Sequence, residues 1–123
     1  MSGCNALGLA NYFLDKAEAE GRELTHMHLQ KILYNAHGYY LAMTGDPLFY
    51  QNVQAWKNGP VIPEVYKAFK KCGRDPIAIR ATRPASLFDI EGSPYEEDLD
   101  EETRSFLDAI WEGHKSISAV KLS

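Results

Sequence analysis

Apolar positions in the first 45 residues recur at helical spacing, and glycines mark where each run ends. Leu7, Ala10, Leu14 and Ala17, with Phe13 on the flank, share one face of a helix expected over about 5–20, with Gly21 as its stop. The pattern resumes after Thr25, a residue suited to an N-cap. Leu29, Ile32, Leu33, Ala36, Tyr40 and Met43 then form one stripe of a long second helix ended by Gly45 and Pro47. Gly38 interrupts this helix at a cost of about 1 kcal/mol relative to alanine, so a neighbouring backbone is expected to pack close against it.

Beyond Pro47 the periodicity changes. Leu48, Phe49, Tyr50, Val53, Ala55 and Trp56 suit a short extended segment better than a helix. Gly59-Pro60 punctuates the chain, and Pro63 is placed to open a third helix running to Cys72 and stopped by Gly73, with Val65, Phe69 and Cys72 on one face. Residues 77–79 and 87–90 are candidate strands joined by a proline-containing connection. A fourth helix starts near Asp100 and carries Phe106, Leu107, Ile110 and Trp111 before Gly113, and Ser116 or Ser118 caps a final short helix. The expected fold is mainly α, of α+β type: a bundle of four to five helices with a small two- or three-stranded β element, in one domain over residues 1–123.

Composition supports a folded domain, with 45% apolar and 24% charged residues in 123. A chain of this size buries roughly two-thirds of the surface its unfolded form exposes. The two cysteines, Cys4 and Cys72, form no CxxC pair, and no charged flank leads into an apolar run at the amino terminus. A cytoplasmic protein with free thiols is expected. No apolar stretch approaches the roughly 20 residues that span a bilayer.

The net charge of −4 conceals a segregated distribution. Lys67, Lys70, Lys71, Arg74, Arg80 and Arg83 are opposed within their segment only by Asp75, a pattern suited to an acidic partner. From Asp89 to Glu112 acids dominate and only Arg104 opposes them, so this half would repel a nucleic-acid backbone. Two solvated faces that partly attract each other are the simpler explanation.

Candidate chemistry is sparse. His26 and His28 lie two apart, roughly 200° around a helix, which separates them as metal ligands. Neither cysteine has a motif or an orienting third residue. The acidic run from Glu96 to Glu102 suits a solvated helix start better than acid–base catalysis, which needs a carboxyl in a raised-pKa setting. No phosphate-binding glycine loop, HExxH or nucleophile elbow is present. The expectation is a non-enzymatic protein with no catalytic residues, no cofactor and no metal. Its aromatic residues are more informative, because large amphipathic rings suit binding hot spots. Trp56, Tyr40, Phe69 and Trp111 are assigned to the core, whereas Tyr34 and Tyr66 are placed for contact with a partner. Gln30 and Lys31 face away from the apolar stripe, toward a partner or solvent. The candidate partner-binding set is Gln30, Lys31, Tyr34, Lys57, Tyr66 and Lys70.

Read in order, Leu29-Gln30-Lys31-Ile32-Leu33-Tyr34, Pro47-Leu48-Phe49, and Trp56 followed by Gly59-Pro60-Val61 and Val65-Tyr66 form a specific series. It resembles the Panacea domain of SocA-like antitoxins and phage-associated GepA-like proteins, roughly from Leu9 through Val120. The resemblance makes Leu29, Leu33, Trp56, Gly59, Pro60 and Val61 the structural motif. Family members usually continue through a segment with a histidine and a Pro-Trp pair, whereas this chain ends at Ser123. The resemblance implies an antitoxin that binds a cognate toxin protein and neutralises it by direct complex formation, with an ATP-dependent protease of the ClpXP type as a further partner. The alternatives are a phage or mobile-element inhibitor of a host defence protein, and a DNA-binding autoregulator. The resemblance assigns no catalytic residue and no oligomeric state.

Overall fold

The structure is a computed structural model and describes residues 3–57, 59–83 and 92–116. Among these the order is α1 (Ala6–Ala19), α2 (His26–Thr44), β1 (Gln54–Trp56), β2 (Gly59–Val61), α3 (Pro63–Phe69) continued by a 3-10 turn over Lys70–Cys72, and α4 (Glu101–His114). This is the mainly α architecture expected, with four helices and a two-stranded antiparallel sheet among the described residues.

Helix α2 is the element on which the others assemble, packing against α1, α3, α4 and β2. Its start is set by Thr25, whose hydroxyl accepts the His28 N–H at 3.3 Å. Its end is set by Gly45 at φ +79°, a left-handed conformation that glycine adopts without a Cβ penalty, with the Gly45 N–H donating to the Leu41 carbonyl. Leu29, Ile32, Leu33 and Ala36 are fully buried in a core shared with Leu9 and Phe13 of α1, Val65 and Phe69 of α3, and Leu107 and Trp111 of α4. The apolar stripe does not stay inside. Tyr40 is only partly buried against Phe106, and Met43 is 71% exposed, so the carboxy-terminal third of α2 projects beyond the core. Gly38 lies on this projecting part, and a Cβ added there would meet nothing within 4 Å. The close backbone expected at Gly38 is therefore absent.

Helices α1 and α4 start on side-chain caps from Asn5, which accepts the Leu7 N–H at 2.9 Å, and Asp100, which accepts the Thr103 N–H at 2.7 Å. Buried amides then fasten irregular chain to the helices. The Asn11 amide donates to the Ala81 and Tyr95 carbonyls and its oxygen accepts the Ala81 N–H. Gln51 accepts the Ala6 N–H and donates to Asn5. These bonds satisfy backbone groups that loops cannot satisfy among themselves.

The extended regions differ from expectation. Within 48–56 only Gln54–Trp56 is a strand; Leu48 and Phe49 are buried, and Phe49 forms an isolated parallel bridge with Cys4. Residues 77–79 make no strand: Ile77 is a core anchor whose N–H donates to the Leu24 carbonyl at 2.7 Å. The candidate strand at 87–90 and the final helix lie outside the described residues.

Candidate functional site

Strands β1 and β2 pair antiparallel, with Gln54 opposite Val61, Ala55 opposite Pro60 and Trp56 opposite Gly59. The hairpin they form stands beside the amino-terminal half of α2 and the start of α3. An open cleft of about 530 Å³ lies between these elements, lined by Thr25, His26, Met27, Gln30 and Lys31 from α2 and its cap, Trp56, Lys57, Pro60 and Val61 from the hairpin, and Tyr66, Gly73 and Arg74.

Gln30 holds the cleft's two sides together. Its Oε1 accepts the Ile62 N–H at 2.9 Å, while its Nε2 donates to the Ile62 carbonyl at 3.3 Å and to His26 Nε2 at 3.2 Å. The Ile62 N–H fixes the orientation of the amide, so His26 Nε2 must accept and the ring is neutral with its proton on Nδ1. Burial acts in the same direction, lowering the His26 pKa from its ordinary value. Ile62 is the N-cap residue of α3 and supplies no side-chain cap of its own, so the α2 amide serves that position from outside the helix.

The rim of the cleft is aromatic. Tyr66 packs edge-on to Trp56 at 5.0 Å between ring centroids and lies 5.3 Å from the His26 ring, which in turn meets Phe69 at 6.4 Å. Trp56 is 41% exposed and Tyr66 38%, and the Trp56 indole N–H donates to Gln54 Oε1 at 2.9 Å. Trp56 was expected in the core. It stands outside because all three residues of β1 are exposed, so the indole has Tyr66 for a neighbour rather than a second layer.

Lys31 also departs from expectation, as does Gln30, for neither points to solvent. Gln30 is 5% exposed and Lys31 4%. Both lie on the edge of α2 that faces the hairpin, and burial of this edge is what a stripe-based view of the helix misses. The Lys31 ammonium reaches beneath the hairpin, where a Cβ on Gly59 would come within 2.3 Å of Nζ. Gly59 itself has φ +120°, which a residue with a side chain rarely adopts. Glycine there both closes the hairpin and leaves room for the lysine.

Seven of the residues singled out from sequence meet at this cleft: Gln30, Lys31, Trp56, Lys57, Pro60, Val61 and Tyr66. Tyr34, 42% exposed, and Lys70, also exposed, lie outside its lining, and Leu29 and Leu33 are core. Sequence reasoning missed His26, Met27 and Arg74 as lining residues. The spacing of His26 four positions before Gln30 on one helix face carried that information.

Elsewhere the candidate chemistry is held by the fold. His28 turns away from His26, and its Nε2 bonds the His114 carbonyl at 3.2 Å. Burial and then the nearby Glu97 push the Cys4 thiol up to about 11, so it carries little thiolate at neutral pH. Among the described residues, no three His, Cys, Asp or Glu side chains are grouped to hold a metal ion, and no helix is long and apolar enough to cross a membrane. Of the basic stretch, Arg80 is engaged by Asp15 at 2.8 Å and Glu18 at 2.6 Å, whereas Lys67, Lys70, Lys71 and Arg74 are exposed without an ion pair among the described residues.

Comparison with known proteins matches residues 29–123 to the family described as antitoxin SocA-like, Panacea domain. The match begins at Leu29, later than the Leu9 expected from the resemblance. Antitoxin SocA of Caulobacter vibrioides (strain NA1000 / CB15N) is 39% identical over 100 residues, covering 79% of this chain and 53% of that protein. The chain thus spans about half the length of the curated relative it matches. No solved structure matches.

Proposed function

Because the chain belongs to the antitoxin SocA-like, Panacea-domain family, we propose that it is an antitoxin that neutralises a cognate toxin protein by gripping it at the cleft between α2, the hairpin and α3. The observation that carries this is the cleft's rim. Trp56 and Tyr66 are large, partly exposed rings held edge to face over a pocket whose lower wall is fixed by the Gln30 bonds to Ile62. Pre-positioned aromatic side chains around a concave surface lose little conformational freedom on binding and are the residues most often found at binding hot spots. Neutralisation by occlusion needs no chemistry from this chain. Handing the toxin to an ATP-dependent protease is a separate activity on top of binding.

Co-expression of this chain with the product of the neighbouring reading frame, followed by pull-down and a growth assay, tests the proposal. A stoichiometric complex with restored growth is expected, and toxin half-life measured in the same cells separates blocking from degradation. A toxin that remains equally lethal and unbound would overturn the proposal.

A further inference from the structure

Among the described residues three cations face the cleft, Lys31, Lys57 and Arg74, and no carboxylate lines it. Lys31 is the informative one. It is buried, with 4% exposure, yet among the described residues it makes no hydrogen bond and no ion pair. A buried ammonium without an acceptor is unfavourable by several kcal/mol unless water or a partner supplies one. Its Nζ is not sealed in, since the only fully enclosed side-chain polar atom without a partner among the described residues is His37 Nδ1. The remaining access of Lys31 is through the cleft that it lines. This site is cationic in a chain whose net charge is −4.

Resting on the toxin-binding role proposed above, we infer that the cleft reads a carboxylate on the partner protein, which pairs with Lys31 while apolar neighbours of that residue pack on Trp56 and Tyr66. The apolar and aromatic walls fit a peptide segment, and the single ammonium at the base fits one carboxylate. The acidic segment toward α4 opposes an extended polyanion. The carboxylate belongs either to an aspartate or glutamate side chain or to a chain terminus, and both present the same two oxygens.

The test is a titration of the isotope-labelled full chain, followed through the Trp56 indole and Gly59 amide resonances, with four probes: acetyl-Leu-Glu-Leu-amide, its glutamine counterpart, acetyl-Leu-Gln-Leu with a free carboxyl terminus, and inorganic phosphate. Preferential binding of the glutamate peptide over the glutamine amide by at least about tenfold supports a side-chain carboxylate. The same preference for the free terminus supports a terminal one. Both effects disappear in Lys31→Met and weaken in Arg74→Gln. Lys31→Met leaves the free chain folded, because the ammonium makes no bond to the described residues. Equal binding of all three peptides, or phosphate reproducing the same shifts at the same concentrations, overturns the inference. So does an unfolded Lys31→Met chain, which would make the ammonium a structural charge. The cognate toxin separates the two claims: a toxin held equally by wild type and Lys31→Met removes the carboxylate and leaves the antitoxin. A toxin ignored by the wild-type chain overturns the antitoxin role, and the peptides then decide the cleft.

Discussion

Replacing Gln30 with leucine removes two hydrogen bonds that join α2 to the start of α3 and a third to His26 within α2, while keeping a side chain of similar volume. The Ile62 carbonyl still accepts the Tyr66 N–H at 3.0 Å, so it is not orphaned. The Ile62 N–H has no other acceptor among the described residues, and Ile62 is fully buried. A buried donor left unsatisfied costs about 1–3 kcal/mol, and loss of the His26 bond adds up to about 1 more, for a total of roughly 1–4 kcal/mol. In a domain with ~5–15 kcal/mol of total stability that is a large share, corresponding to roughly 4–16 °C in Tm at about 4 °C per kcal/mol for this chain length. Urea unfolding followed by tryptophan fluorescence and by circular dichroism measures it, with an unchanged m-value showing that only the folded state was affected. Gln30→Glu is the control that identifies the bonds. Its carboxylate still accepts the Ile62 N–H and, once the neutral His26 ring moves its proton to Nε2, accepts from His26 as well, but it offers nothing to the Ile62 carbonyl; on acidification the His26 contact becomes a stronger imidazolium–carboxylate bond. The variant should therefore be less impaired relative to wild type at pH 6 than at pH 8. A Gln30→Leu cost below about 0.5 kcal/mol, or a Gln30→Glu cost independent of pH, would refute the assignment of this amide as the link between the two elements.

Gly38→Ala should stabilise the chain by about 0.5–1 kcal/mol, since the added methyl meets nothing and helix propensity improves; a thermal melt checks it. Burial lowers the pKa of His26, His28 and His37 below 6.5. The unfolded chain therefore takes up protons first, so stability is full above pH 6.5 and declines as pH falls below it, while a denaturation midpoint unchanged from pH 7.5 to 5.5 would contradict this. Tyr66→Ala should weaken toxin binding by about 1–3 kcal/mol in calorimetry, with the chain still folded because the ring is at the rim rather than in the core.

The helices were legible because their signals are local. Thr25 and Asp100 cap their own helices, and Leu29, Ile32, Leu33 and Ala36 repeat at a spacing that only one face of a helix satisfies. The extended segments were less so, because Ile77 is β-prone by composition but is used as a core plug bonded to Leu24, and no residue near it reports that choice. Misplacement of Trp56 has a similar origin. Hydrophobicity favours the interior, but a two-stranded hairpin has too little sheet to bury both faces. Gln30 and Lys31 were misplaced because a stripe of apolar residues defines one buried face, whereas α2 is covered on a second side by the hairpin and α3. Polar residues on that second side look solvated until the covering element is known.

That second side also explains why the motif series is spaced as it is. Leu29, Ile32 and Leu33 face the core, while Gln30 and Lys31, interleaved with them, face the hairpin and the start of α3. Gln30 needs a free backbone pair at a helix start, which Ile62 supplies just before Pro63. Lys31 needs a hairpin residue without a Cβ, which Gly59 supplies, and the Gly59-to-Ile62 interval follows from both being met by adjacent residues of one helix. Tyr66 then falls one turn into α3, where it reaches His26 and Trp56. Segments of sequence separated by some thirty positions are thus the two sides of a single contact, and substitution of Gln30 together with Gly59 should show coupling in a double-mutant cycle that neither residue shows with Gly38.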